Sequence, residues 1–210
     1  GAFPCFDVYH KGVLLGRVEL SVPGEHNVLN SLAAICTAMY CGASFEQCQK
    51  SVATFKGAGR RFEYLGNYNG FDIVDDYAHH PNEISAALSS TKNKYPGYRY
   101  TAIFQPHLYS RTKDFAPEFA QALSMVDRLI LLDIYPAREE PIPGVTSQII
   151  FDDVTAPEKM LIRKEELLEC LKDDVLGEKE VFVTLGAGDI DRLVGPLAEL
   201  LTEKHRKGNA

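Results

Sequence analysis

The chain has no tryptophan, three methionines and five cysteines among its 210 residues. Cys5, Cys36, Cys41, Cys48 and Cys170 are odd in number and contain no C-x-x-C pair. That excludes a disulfide framework and a zinc ribbon, and leaves reduced, mostly buried thiols in a cytoplasmic protein as the expectation. No apolar run reaches the ~18 residues that a membrane helix needs, and the opening residues carry no secretory leader pattern, so no membrane partner is expected. Positive charge is also scarce. The formal net charge of −7 repels phosphate backbones and argues against a general nucleic-acid binder. With 16 glycines and 11 prolines the chain has too few of either for a collagen-like or low-complexity sequence. No G-x-x-G-K-[ST] phosphate loop occurs. The chain opens Gly-Ala-Phe rather than with Met, and is expected to be a piece of something longer.

What is present is an ordinary globular composition, 45% apolar and 24% charged, long enough for one or two domains with a sizeable core. Residues 3–9 and 13–21 have strand character around Lys11-Gly12, a hairpin signal. Val28, Leu32, Ile35, Cys36 and Met39 then recur at helical spacing, with Asn27 as the expected N-cap and Gly42 where the helix stops. Ser44 is placed to cap a second helix over 45–55. Lys56-Gly-Ala-Gly-Arg60 is the expected domain boundary, dividing 1–57 from 58–210. A second hairpin pairs 62–68 with 71–75 across Asn69-Gly70, a dipeptide favouring the type I′ turn.

Beyond the hairpin the pattern alternates. Helices over 82–91, 114–125, 163–171 and 190–204 interleave with strands over 99–104, 128–133 and 180–185. Alternation of this kind predicts an α/β fold, a Rossmann-like, doubly wound and mostly parallel sheet with an antiparallel hairpin at its start.

The polar clusters all follow apolar strands. They are Asp75-Asp-Tyr-Ala-His-His-Pro81, Gln105-Pro-His-Leu-Tyr-Ser-Arg111, Tyr135-Pro-Ala-Arg-Glu-Glu140 and Gly186-Ala-Gly-Asp189. Ligands of open α/β sheets bind outside the carboxyl ends of the strands, so the four loops are expected to line one rim. Pro81 suits a first helical turn, with His80 as its cap or as a ligand. Two carboxylates and two imidazoles are metal-ligand types, which keeps a metal-dependent phosphoesterase on Asp75, Asp76, His79 and His80 open as an alternative. His107 and Arg111 place an imidazole beside a side chain shaped to grip a carboxylate or phosphate. Gly186-Ala-Gly-Asp189 lacks the third glycine of a dinucleotide fingerprint and reads as a tight strand–helix turn. Arg138-Glu-Glu-Pro reads as a solvated loop, and the segment from Glu203 to Lys207 as a fraying tail.

Taken in order, Gly24-Glu-His-Asn-Val-Leu-Asn30, Gly59-Arg-Arg-Phe-Glu63, Asp75-Asp-Tyr-Ala-His-His-Pro81, Phe104-Gln-Pro-His107 with Tyr109-Ser-Arg-Thr112, and Gly186-Ala-Gly-Asp-Ile190 resemble the bacterial Mur ligases. The double His-His-Pro and the Phe-Gln-Pro-His segments resemble the alanine-adding branch of that family. The resemblance implies that 1–57 is the C-terminal portion of a central ATP-binding domain, and 58–210 a C-terminal Rossmann-like, amino-acid-binding domain. It implies an ATP-dependent ligase of peptidoglycan precursor synthesis, with ATP and Mg²⁺ as cofactors held mainly elsewhere. L-alanine and UDP-N-acetylmuramate are the implied substrates. A lone fragment without the phosphate loop is expected to be inactive.

Carried over by position, the resemblance assigns His26, Asn27 and Asn30 to the adenine, Arg61 ahead of Arg60 to the ATP phosphates, and Asp76 to the ribose. It assigns Tyr77, His79, His107 and Arg111 to the incoming amino acid, with His79 and Arg111 as the catalytic pair, and no residue here to a metal. Leu108 departs from the family, which often has a second Arg there. Two further readings stay open: a related ligase that returns a cell-wall tripeptide to the same sugar, and a non-catalytic ligand-binding module.

Overall fold

The computed structural model of the protein describes residues 3–68, 70–172 and 179–208. The chain divides into two compact units, Gly1–Gly59 and Arg60–Ala210, the division falling inside the glycine-bearing segment 56–60.

In the first unit, strands β1 (Cys5–His10) and β2 (Val13–Glu19) form an antiparallel ribbon. Lys11 and Gly12 join them at φ 50° and 82°, both left-handed, as a type I′ turn requires. Helices α1 (Glu25–Tyr40) and α2 (Phe45–Thr54) pack on the ribbon through Val8, Val18, Leu20, Val22, Ile35 and Cys48. Ser44 caps α2 through a full capping box, accepting from the Gln47 N–H while the Gln47 side chain accepts from the Ser44 N–H.

The expected Asn27 cap is corrected. Gly24 is the N-cap of α1, and Asn27 lies inside the first turn, its Nδ2 donating back to the Pro23 carbonyl at 2.6 Å. The cysteines are corrected too. Only Cys48 is buried, while Cys5, Cys36, Cys41 and Cys170 are exposed. Cys36 follows buried Ile35 onto the outer face of α1, and Cys41 lies just beyond its end.

The second unit is a six-stranded sheet. Its elements are β3 (Glu63–Tyr68), β4 (Phe71–Asp76), α3 (Pro81–Lys94), β5 (Arg99–Phe104), α4 (Tyr109–Asp114), α5 (Ala116–Leu123), β6 (Arg128–Leu132), α6 (Gln148–Phe151), β7 (Glu158–Ile162), α7 (Leu167–Lys172), β8 (Glu180–Leu185) and α8 (Val194–Gly208). The strand order is β3-β4-β8-β5-β6-β7, with only the β3–β4 pair antiparallel. Side chains alternate across it as the two-residue strand period demands. Val74, Ala102, Phe104, Leu129, Leu131, Val181 and Val183 face a core shared with α3, α5 and α6. Phe71, Ile73, Ile103, Ile130, Leu132 and Phe182 face α7 and α8. Helices thus cover both faces, and each fully buried Phe, Leu or Ile contributes about 1.5–3 kcal/mol by leaving water.

Several elements differ from expectation. The helix expected over 114–125 is α5, shorter at both ends, and an unexpected short helix, α4, precedes it; Phe115 separates the two, because Pro117 lacks the N–H needed to continue a helix but fits the first turn of a new one. Strand β7 has no expected counterpart: its Glu158 and Lys159 are exposed, and as an edge strand it pairs with β6 alone. The tail expected to fray continues α8 to Gly208, preceded by a 3₁₀ turn over Asp189–Leu193. Of the hairpin turn at Asn69-Gly70, residue 69 lies outside the described residues. Among the described residues no helix is long and apolar enough to cross a membrane.

Candidate functional site

Strands β4, β8, β5 and β6 are consecutive neighbours and parallel, so their C-terminal ends emerge side by side. The loops that follow them carry the four polar clusters onto one rim, because a parallel sheet places every carboxyl end on the same edge.

At the end of β4, Asp75 and Asp76 are buried and committed to holding the chain together. Asp75 accepts from Arg60 Nε at 2.9 Å and from the Thr184 hydroxyl at 2.5 Å. Arg60 also donates through Nη2 to the Gly186 carbonyl at 2.8 Å. Asp76 accepts from the backbone N–H groups of Phe62 and Ala78, each at 2.8 Å. Burial pushes its carboxyl above the usual carboxylate range, against the pull of those two N–H groups. Arg60 and Phe62 both have left-handed backbones, φ 57° and 49°, and these carboxylate bonds hold that turn. Each Asp76 oxygen keeps a further lone pair, but the side chain is buried, which limits the approach of a ribose.

Arg61, next along, is half exposed, and among the described residues its one ion pair is a long 3.6 Å contact with Glu83. The guanidinium groups of Arg60 and Arg61 lie 5.2 and 5.5 Å from the Tyr77 ring centroid, within cation–π range.

His80 is the N-cap of α3, its Nδ1 accepting from the Asn82 N–H, with Pro81 in the first turn and its ring edge-on to Phe115. Asp75, Asp76, His79 and His80 therefore do not converge, and the phosphoesterase reading loses its ligand set. Among the described residues no group of three or more His, Cys, Asp or Glu side chains is placed to hold a metal ion.

His79 turns the other way. Its Nδ1 lies 2.9 Å from the Tyr77 carbonyl and 3.4 Å from Glu83 Oε2, both acceptors, so in the neutral ring the hydrogen-bond network assigns the proton to Nδ1 and the lone pair to Nε2. Glu83 also accepts from the His79 N–H at 3.0 Å. Partial burial opposes ionisation of Glu83, yet the His79 N–H and ring, with Arg61, hold its carboxyl below the usual range.

Beyond β5, His107 continues the row. Its ring is 6.1 Å from that of His79 on one side, and stacks on Tyr135 at 5.8 Å and 15° on the other. Arg111, one helical turn later, donates from Nη1 to His107 Nδ1 at 3.3 Å. A guanidinium can only donate, so the His107 proton sits on Nε2. Burial lowers the His107 pKa, and the charges of Arg111 and His79 lower it further while Glu139 opposes them. Arg111 is half-buried and, among the described residues, forms no ion pair with a carboxylate.

The loop after β8 closes the rim from behind. A Cβ on Gly188 would lie 2.5 Å from Gln105 Oε1 and 2.7 Å from Tyr135 Cγ, so only glycine allows this approach. Asp189 accepts from Lys164 Nζ at 2.6 Å and from Gln105 Nε2 at 3.2 Å. Its carboxyl lies below the usual range, the bonds from Lys164 and Gln105 outweighing its partial burial.

Tyr77, His79, His107 and Arg111 are thus brought together as the sequence places them, in a row of rings with a guanidinium beside it. The loop over 135–140 lies on the rim as its place after a strand implies, but the sequence assigns no role to Tyr135 or Glu139. Glu139 lies in a stretch expected to be solvated, yet it accepts from Ser110 at two points. His26 and Asn30 are exposed on the first turns of α1, and Asn30 Nδ2 donates to Asn27 Oδ1 at 3.3 Å. They belong to the first unit.

Residues 60–188 match the family model described as Mur ligase, glutamate ligase domain. The chain is 50% identical over 202 residues to a UDP-N-acetylmuramate–L-alanine ligase of Parabacteroides distasonis, covering 96% of this chain and 43% of that protein. It is 47% identical over 196 residues to a protein of the same name from Porphyromonas gingivalis, covering 93% of this chain and 42% of that one. Among solved structures, the UDP-N-acetylmuramate-alanine ligase of Thermotoga maritima superposes with a TM-score of 0.69 at 28% identity, over 91% of this chain and 40% of that one. The chain spans less than half the length of the curated relatives it matches.

Proposed function

Because the chain belongs to the Mur ligase family, we propose that it is the C-terminal part of an ATP-dependent ligase that joins L-alanine to the lactyl carboxylate of UDP-N-acetylmuramate in peptidoglycan precursor synthesis. On this reading residues 1–57 end a central ATP-binding domain and residues 58–210 form the amino-acid-binding domain. The observation that carries the reading is Arg111, a half-buried guanidinium without a carboxylate partner among the described residues, set against the ring of His107. The names of the two curated relatives support alanine as the amino acid.

A carboxylate resists nucleophiles, so ATP supplies a mixed anhydride: its γ-phosphoryl group passes to the carboxylate, the amine attacks the acyl carbon, and inorganic phosphate leaves. Arg111 would hold the carboxylate of the incoming amino acid with paired N–H donors. His107 donates from Nε2 toward the same group. The Nε2 lone pair of His79 is the acceptor for a proton of the alanine ammonium, which must lose a proton to become a nucleophile. Tyr77 ends the row of rings, within cation–π range of Arg60 and Arg61.

Arg61 rather than Arg60 is the cation for the ATP phosphates, since Arg60 is spent on Asp75 and Gly186. His26, Asn27 and Asn30 are assigned to the adenine. Asp76 shapes the Arg60–Phe62 turn and would meet the ribose through a lone pair that its two backbone bonds leave unused. Among the described residues no group of carboxylates and imidazoles is placed to hold Mg²⁺.

The test is incorporation of labelled L-alanine into UDP-N-acetylmuramate by the full-length protein, with and without ATP. ATP-dependent incorporation is expected. Transfer of a cell-wall tripeptide in its place, or no transfer of either, overturns the reading.

A further inference from the structure

The segment carrying His107 and Arg111 is gripped at four points by the loop that follows β6. The Tyr135 N–H donates to the Pro106 carbonyl at 2.8 Å, and the Leu108 N–H donates to the Tyr135 carbonyl at 3.0 Å. Glu139 then accepts from the Ser110 N–H at 2.9 Å and from the Ser110 hydroxyl at 2.5 Å. Between these points Leu108 sits at φ 73°, left-handed for a bulky side chain. Such a conformation costs about 1–3 kcal/mol and persists only where its surroundings over-determine it. Thr112 adds to that determination, its N–H and hydroxyl both donating to the Leu108 carbonyl.

Glu139 is itself held. Its N–H donates to the Pro136 carbonyl at 2.9 Å, closing a turn that contains Ala137 at φ 52°. The Ser110 hydroxyl, and then its N–H, keep the Glu139 carboxyl below the usual range, so the group is a carboxylate at neutral pH. It is the one group among those acting on His107 that favours the imidazolium. Burial, Arg111 and His79 oppose it, and the Tyr135 ring stacks on the remaining face.

We propose that Glu139 is a positioning residue for the amino-acid anchor. Through its two bonds to Ser110 it fixes the first turn of α4, and with it the direction in which Arg111 and His107 face the rim. What Arg111 holds rests on the function proposed above, whereas the coupling of Glu139 through Ser110 to His107 does not. The physical reason is lever length. A six-residue helix has too few internal bonds to fix its own axis. A tilt of so short a helix carries Arg111 off the group it holds, which weakens binding.

The experiment compares Glu139→Ala, Glu139→Gln and Ser110→Ala in the full-length protein. Alanine and ATP kinetics are measured alongside the His107 titration followed by ¹⁵N-histidine NMR. Glu139→Ala is expected to raise the alanine KM about tenfold or more, with kcat and the ATP KM within about threefold. The His107 midpoint is expected to fall further. Glu139→Gln keeps an oxygen for the Ser110 N–H, so it is expected to recover most of the KM while the midpoint stays low. A folded Glu139→Ala protein with both the alanine KM and the His107 midpoint unmoved overturns the proposal, as does a lower Tm alone. If Glu139→Ala does not fold, Ser110→Ala decides: a raised alanine KM upholds the proposal and an unchanged one overturns it. If the wild-type protein does not use alanine, the proposed function fails and the His107 midpoint alone judges the Glu139 coupling.

Discussion

Arg60 and Asp75 are joined through Nε and Oδ2 at 2.9 Å, and the same guanidinium reaches the Gly186 carbonyl at 2.8 Å. One side chain therefore ties the start of the second unit to the ends of both β4 and β8. Asp75 is almost wholly buried, its side chain 3% exposed, so the pair matters for what would follow from its loss. Arg60→Ala leaves Asp75 with the Thr184 hydroxyl as its remaining side-chain partner. The expected destabilisation is about 3 kcal/mol, at the low end for a buried pair because Arg60 is one-fifth exposed. Urea unfolding of the 210-residue chain measures it, and a change under about 0.5 kcal/mol would refute the assignment.

Gly188 tests how closely the β8 loop approaches the rim. Alanine there puts a methyl group against Gln105 Oε1 and the Tyr135 ring, the latter being the platform for His107. Gly188→Ala is expected to cost about 1–3 kcal/mol and to shift the His107 ring resonances. Unaltered stability and spectra would mean that the loop yields freely.

His107 sets a pH dependence with a definite sign. Its folded pKa lies below the ordinary value of about 6.5, chiefly through burial and then through Arg111. Between the two values the unfolded chain binds more protons than the folded one, so stability rises with pH across that window. The contribution is complete above about 6.5 and is lost as pH falls toward the folded value. Arg111→Ala is expected to raise the His107 midpoint, since it removes a neighbouring cation. A midpoint that falls or does not move in that variant contradicts the geometry.

Arg111→Ala also tests the proposed anchor. Losing a charge-assisted pair of hydrogen bonds, about 1.5–3 kcal/mol, corresponds to a rise of about 10- to 150-fold in the alanine KM of the full-length protein. The ATP KM is expected to change little. An unchanged alanine KM removes Arg111 from the amino-acid site.

The thiols offer a simple check on burial. Cys5, Cys36, Cys41 and Cys170 are exposed and Cys48 is not. An aromatic disulfide reagent is expected to titrate four thiols rapidly in the native 210-residue chain and the fifth on unfolding. Fewer fast thiols would show that one of those surfaces is covered.

Much of the fold is legible in local patterns. Apolar runs mark β4, β5, β6 and β8, each buried on both faces, and Ser44, Pro81 and Gly42 punctuate helices for reasons of backbone chemistry. Asn27 misled because a good capping residue was matched by Gly24, three positions earlier, whose carbonyl already accepts from the Asn27 N–H at 3.1 Å. Strand β7 is hidden because two of its five residues are exposed, and an edge strand requires no apolar run. At the rim, His79, His107 and Arg111 were legible as unusual residues after strands. Glu139 was not, because its partner Ser110 lies 29 residues away and no local pattern links them.

By itself the sequence determined which segments become strands and helices, where the glycines and prolines break them, and that the polar clusters follow strand ends. Those are properties of neighbours in the chain, set by backbone sterics and periodicity. Only the tertiary structure decided that β8, last of the strands, inserts between β4 and β5, bringing Gly186 and Gly188 against Gln105 and Tyr135. Only it decided that Asp75 holds Arg60 and Thr184 and Asp76 two backbone N–H groups, while His79, His107 and Arg111 face the rim. Those outcomes depend on which buried charge finds a partner, and the partners come from distant parts of the chain.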